Sequence, residues 1–266
     1  MAQYFRWLRI SLFLWVFCCL APKANSQDHP RTVHVFVALA DNEHQGIVPV
    51  PARLGNGLDP ARNLYWGAAF GIKAFFKASN DWTLLSASYG PKDTILERCV
   101  FKHRKSDTYL VADAYEGSAI RDAVTDFLYA AAGVDSKTIS ITTGPEEIKI
   151  PVNGGADLVA YVGHDAFMDF QIGRISGQAR NPARPAIILA CASKAYFGSY
   201  LKDTGAYPLL WTTGLMAPEA YTLKAALDGW LLDENAQAIR ARAAQAYDRY
   251  QHCGLRSAER LFATGW

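Results

Sequence analysis

Asp157-Leu158-Val159-Ala160-Tyr161-Val162-Gly163-His164 and, further on, Ala186-Ile187-Ile188-Leu189-Ala190-Cys191 are two apolar runs that each end on a residue capable of acid–base or nucleophilic chemistry. Short runs rich in Val, Ile, Leu and Tyr and bounded by Gly or Pro read as buried strands. Neither run alternates polar with apolar residues, so both faces are expected to be covered, as in a parallel sheet. The residues between them suffice for a crossover, which allows the two strands to be parallel neighbours. His164 and Cys191 then emerge at one carboxyl edge, where open α/β sheets build their sites. A thiol beside an imidazole is a cysteine nucleophile with its base.

Outward from this stretch the chain alternates strand and helix. Residues 33–39 form a first apolar strand running into Asp41-Asn42-Glu43-His44. Residues 45–63 carry Pro49, Pro51, Gly55, Gly57 and Pro60 and read as a long ordered loop, a feature that is commonly functional inside a compact domain. A helix is expected over 64–78, then strands over 82–87, 95–103 and 109–112, with a hairpin-like excursion around Tyr89-Gly90-Pro91. A helix over 117–132 has Ser118 as its cap and Gly133 just past its end. A short strand over 138–142 follows, and Asn153-Gly154-Gly155 turns the chain into the His164 strand. Beyond Cys191 come a helix over 194–203 stopped near Gly205, a strand over 208–212, a helix over 218–232, and an Ala- and Arg-rich helix over 235–252 that ends before Gly254. Strands alternating with helices argue a three-layer α/β sandwich with a mainly parallel central sheet.

Residues 1–26 have the pattern of a secretory signal: Arg6 and Arg9 flank an apolar core over 10–21, and Ala24 and Ser26 supply small residues before Gln27. An uncleaved anchor is the other reading of the same residues. The expectation is an exported protein, periplasmic or secreted, with residues 27–266 as one domain and no stable membrane insertion after cleavage. The chain has 27 Lys and Arg against 25 Asp and Glu. Arg6, Arg9 and Lys23 leave with the signal, so the remainder is close to neutral, which argues against a nucleic-acid or polyanion partner. Cys99, Cys191 and Cys253 remain, and an odd count in an exported chain leaves at least one thiol unpaired. Either Cys99 pairs with Cys253, or all three are partly buried thiols. Composition sets no oligomeric state.

Strand-Gly-His followed by strand-Ala-Cys-x-Ser resembles the caspase, legumain and gingipain group of cysteine peptidases. Tyr207-Pro208-Leu209-Leu210-Trp211-Thr212-Thr213 is similar to the strand after the catalytic Cys in legumains, whose exit lines the pocket for the residue being cleaved after. The resemblance implies a caspase-hemoglobinase-like fold and a thiol protease, a hydrolase acting on a peptide or protein substrate with no cofactor. It implies Cys191 as nucleophile and His164 as base, and an oxyanion hole from the amides of Gly163 or Asp165 and of Cys191. Ser193 would orient the site or cap the following helix. Substrate contacts would come from Asp41, Asn42 and His44 after the first strand, and from Trp211, Thr212 and Thr213 after the later one. Asp41 or Asp169 would select a basic side chain, whereas Thr212 and Thr213 suit a small or amide one. Asp165 stands where the group usually has glycine, which leaves open a catalytically inactive caspase-like binding module. A metal-dependent hydrolase is the third reading, with His44, His164, Asp165 and Asp169 as hard and borderline ligands.

Overall fold

A computed structural model describes Met1, residues 30–177 and residues 183–266. The expected signal sequence lies outside the described residues. The elements in chain order are β1 (Arg31–Ala38), α1 (Ile72–Ala78), β2 (Trp82–Lys92), β3 (Ile95–His103), β4 (Thr108–Tyr115), α2 (Ile120–Ala132), β5 (Ser136–Thr143), β6 (Glu146–Asn153), β7 (Leu158–Val162), β8 (Pro185–Leu189), α3 (Ser193–Thr204), β9 (Tyr207–Thr212), α4 (Ala220–Leu231), α5 (Ala236–Gln251), α6 (Leu255–Leu261) and β10 (Phe262–Ala263). One eight-stranded sheet has the order β10-β9-β8-β7-β1-β4-β3-β2, and β5 and β6 form a separate hairpin. The run β4-β1-β7-β8-β9 is parallel, while β10, β3 and β2 are antiparallel additions at the two sides.

The central strands lack polar alternation because helices cover both faces. On β1, Val33, Val35 and Val37 point into a core shared with Ile72 and Phe76 of α1, Leu223 and Leu227 of α4, and Ile239 of α5. Phe36 and Ala38 point the other way, into a core with Val124 and Phe127 of α2 and Phe197 and Leu201 of α3. Each such aliphatic or aromatic side chain contributes about 1.5–3 kcal/mol by leaving water. The result is the expected α/β layering around a mainly parallel sheet.

Five local expectations change. The helix expected from residue 64 starts only at Ile72, because 64–71 fold as tight turns that require glycine at 67 and 71; a Cβ on Gly71 would collide with the Trp66 backbone. The β2–β3 hairpin reverses after Lys92, and Gly90 sits inside a register irregularity between Tyr89 and Lys92. Ser118 bonds to the Glu116 carboxylate, so it does not cap α2, although Gly133 ends that helix in the left-handed conformation as expected. Strands β6 and β10 and helix α6 are additional. Cys99 is buried, Cys253 is exposed and both are free thiols, so the pairing of Cys99 with Cys253 does not occur and burial holds for only one of them.

Far from His164 and Cys191, three strands share a buried charge cluster. Asp113 on β4 accepts from Arg98 Nε and Nη2 on β3, both at 2.6 Å, and from His34 Nε2 on β1 at 3.0 Å. His34 Nδ1 accepts from the Asn153 amide at 3.0 Å, which leaves the proton on Nε2. Burial alone would raise the Asp113 carboxyl; the hydrogen bonds from Arg98 and His34 outweigh it and hold the group below its ordinary value. This stabilisation is therefore complete above the unfolded carboxylate value of about 3.9 and is lost as pH falls through the lower folded value. Arg98→Met should cost about 3–5 kcal/mol in urea unfolding at pH 7, because Asp113 is left buried and unpaired. The same variant should lose less stability than the wild type on acidification below pH 4.

Candidate functional site

Strands β7 and β8 are direct parallel neighbours in the register Val162↔Leu189. His164 and Cys191 each lie two residues past that pair, so both emerge at the carboxyl edge from neighbouring strands. Gly163 makes the exit from β7 possible. Its φ is +154°, and a Cβ there would stand 3.0 Å from the Ala38 carbonyl oxygen of the neighbouring β1. At the end of β8, Ala192 has φ +47°, a conformation that costs a non-glycine residue about 1–2 kcal/mol. The turn is held by the Ala192 amide, which donates to the Gly214 carbonyl at 2.8 Å. Backbone held in this way immediately after a candidate nucleophile is common at functional sites.

Both side chains line one cavity of about 310 Å³. His164 is buried, and its Nε2 donates to Asp169 Oδ2 at 2.8 Å; the same oxygen accepts from the Gly46 amide at 3.0 Å. Asp169 therefore fixes the ring and ties it to the loop after β1, leaving Nδ1 without a hydrogen-bond partner among the described residues. Cys191 is partly buried. Its sulfur lies 3.4 Å from the Met216 amide nitrogen, which donates to it, and 3.5 Å from the Met216 carbonyl oxygen. No hydrogen bond joins the His164 ring to the Cys191 sulfur: the ring bonds to Asp169 and the sulfur to the Met216 backbone.

The oxyanion and orienting residues divide. The Gly163 amide already donates to the Leu189 carbonyl at 3.2 Å, so it is not a free donor. The amides of Asp165 and Cys191 donate to no acceptor among the described residues. Ser193 neither faces the cavity nor caps α3. Its hydroxyl donates to the Ile188 carbonyl and accepts from the Thr212 amide, both at 3.0 Å, so it joins the end of β8 to β9. Asp165 is fully buried: Oδ1 accepts from the Phe167 amide at 3.0 Å and Oδ2 has no partner among the described residues. Burial, reinforced by the nearby Asp169 charge, pushes its pKa up to about 7.

None of the six expected substrate contacts lines this cavity. Asp41, Asn42 and His44 line a separate one of about 370 Å³. Asp41 accepts from the amides of Glu43 and His44 and from His44 Nδ1 at 2.9 Å, a pairing that raises the His44 pKa. Asn42 forms two bonds with the Val50 backbone and so closes the following loop. Trp211 is core and packs against Trp266; Thr212 bonds to Ser193 and Ala190; Thr213 bonds to the Arg260 and Leu261 carbonyls. The cavity wall instead comes from Ile47, Val48 and Val50, from Leu64 and Tyr65, and from the segment 215–219 a few residues past β9. Val48 and Leu215 are 84% and 76% exposed and give the cavity an apolar rim. The metal reading loses its geometry, since His44 is in the other cavity and no three His, Cys, Asp or Glu side chains converge among the described residues. No helix among them is long and apolar enough to cross a membrane. A larger polar cavity of about 410 Å³ over β3 and β4 holds Arg98 and Asp113 but neither His164 nor Cys191.

No family model, curated protein or solved structure matches the chain.

Two outcomes follow from the buried polar groups. Asp165 binds its proton more tightly folded than unfolded, so it costs the native state nothing below about pH 4 and progressively destabilises it as pH rises through 7. Asp165→Asn keeps the Phe167 contact and should flatten the fall in melting temperature between pH 5 and pH 8. Ser193→Ala should lower stability by about 1–3 kcal/mol, because the Thr212 amide loses its acceptor, and should leave the reactivity of Cys191 toward a small thiol reagent unchanged.

Proposed function

We propose that this chain is a caspase-like cysteine peptidase acting outside the cytoplasm, with Cys191 as nucleophile and His164 as acid–base. The observation that carries this is the pairing of the two side chains in one cavity at the carboxyl ends of adjacent parallel strands, His before Cys. The strand order β4-β1-β7-β8-β9 with an antiparallel β10 supports the same fold reading, because the His and Cys strands are central and the next strand leads into the cavity wall.

The chemistry follows from the geometry. The Cys191 sulfur adds to the carbonyl carbon of the scissile amide while the thiol proton passes to His164. Charge that develops on the carbonyl oxygen would be met by the unused amide of Cys191, which lines the cavity, whereas Asp165 is fully buried and does not. The C–N bond breaks as His164 gives that proton to the leaving amine, and a thioester remains on Cys191. Water, deprotonated by His164, then attacks the thioester carbon and releases the acid, and the proton returns to the sulfur. Asp169 takes part by holding Nε2, which leaves Nδ1 as the nitrogen that exchanges protons.

Cys191→Ala should abolish hydrolysis of a fluorogenic peptide mixture while leaving the melting temperature within a degree or two, since a small residue replaces a small one. His164→Ala should lose nearly as much, because members of a catalytic unit are non-additive. Asp169→Asn should reduce kcat by roughly 10–100-fold and shift the pH profile, with little change in KM. Hydrolysis that survives Cys191→Ala would rule out this mechanism, and a protein inert on every peptide while still binding one would be a caspase-like binding module.

A further inference from the structure

We infer that the cavity selects a long side chain ending in a cation, lysine or arginine, on the acyl side of the bond cut, with Glu219 as its partner, a specificity that presupposes the peptidase reading. Ile47, Val50, Leu64, Met216 and Pro218 give the cavity apolar walls, which suit an aliphatic stem. Glu219 breaks that pattern. It flanks the start of α4, is partly buried, and its side chain caps nothing. Its Oε2 accepts from the Tyr221 hydroxyl at 2.8 Å and from Gln251 Nε2 at 3.1 Å, whereas Oε1 accepts no hydrogen bond among the described residues. Both donors are neutral, and no Lys or Arg lines the cavity. A partly buried carboxylate without a cation is unfavourable, and burial accordingly raises the proton affinity of Glu219. A cation brought by a ligand would supply the missing partner.

Tyr65 points the same way. It is only 7% exposed and lines the cavity, yet its hydroxyl makes no hydrogen bond among the described residues. Tyr65, Cys191 and Glu219 all line this one cavity. A side chain leaving an acyl carbon on Cys191 would pass the Tyr65 hydroxyl and bring an ammonium or guanidinium to Glu219 Oε1. An aspartate would meet a like charge there, and an asparagine would bring no positive charge to Glu219.

The test uses the full chain and fluorogenic peptides that differ only in the residue on the acyl side: Lys, Arg, Leu, Asn or Asp. The kcat/KM for Lys or Arg should exceed the others by about 100-fold, and Glu219→Gln should reduce that advantage to under about 10-fold with little change for Leu. A wild-type preference for Leu, Asn or Asp would overturn the specificity and leave the peptidase reading standing. So would a folded Glu219→Gln protein that keeps the wild-type ranking. If Glu219→Gln fails to fold, the wild-type ranking alone decides. No turnover of any peptide, together with no labelling of Cys191 by a lysine-bearing acyloxymethyl ketone, would overturn both.

Discussion

The pairing of β7 with β8 in one register is the constraint on which the candidate site depends. In a strand a shift of one residue sends every side chain to the opposite face. Were β8 to slip by one position, Ile187 and Leu189 would leave the core they share with α4 and α5, and Cys191 would no longer stand level with His164. The register is defended from both sides of the sheet, since Ile188 and Ala190 are equally buried against α2 and α3. It is also defended at the strand end, where Ser193 and Thr212 bond to each other and to the backbones of both β8 and β9. The strained turn at Ala192 persists because these bonds and the Gly214 contact over-determine it.

The layering, and the emergence of His164 and Cys191 at the ends of adjacent parallel strands, were legible in the sequence, for one shared reason. Fully buried parallel strands are continuous apolar runs, and a polar residue at the end of such a run stands out. Strand β6 was not legible because Glu146-Glu147-Ile148-Lys149 buries little, and its buried Ile150 and Val152 face only the outer side of the sheet. The helix expected from residue 64 had the right periodicity, but Gly67 and Gly71 allow backbone contacts that no helix provides. The cavity wall was missed for a different reason. Its residues come from three loops distant in sequence, and an Ile or Met in a loop carries no local signal of what it faces. Asp41 and Asn42 carried a stronger signal, a polar cluster at the end of a strand. Yet their polarity is spent on their own loop, a use that short Asx side chains share with binding sites.

Asp169 shows how the loop after β1 and His164 are joined. It accepts from the His164 ring and from the Gly46 amide through a single oxygen, so the segment that supplies Ile47, Val48 and Val50 to the cavity is fastened to the same carboxylate that orients the imidazole. On the proposed peptidase reading, substrate contact and proton transfer would thereby be mechanically coupled. Met216 does the equivalent on the other side, presenting its backbone to the sulfur while its side chain forms part of the wall. Each reactive group is thus held by the loop that would touch the substrate.

The short strand β10 has a consequence for how the protein behaves among other copies of itself. Strand β9 would otherwise expose a row of unpaired amides and carbonyls, a template for intermolecular pairing. Phe262 and Ala263 cover Thr212 and Trp211, and the Thr213 and Gly265 amides donate to Leu261 and Pro208 on either side. A few residues thus act as a seam along the strand that leads into the cavity wall. The opposite margin, β2, is blunted by its two register irregularities rather than covered. Protection of the β9 margin therefore rests on a handful of hydrogen bonds, and proteolytic trimming there would turn a covered strand edge into an adhesive one.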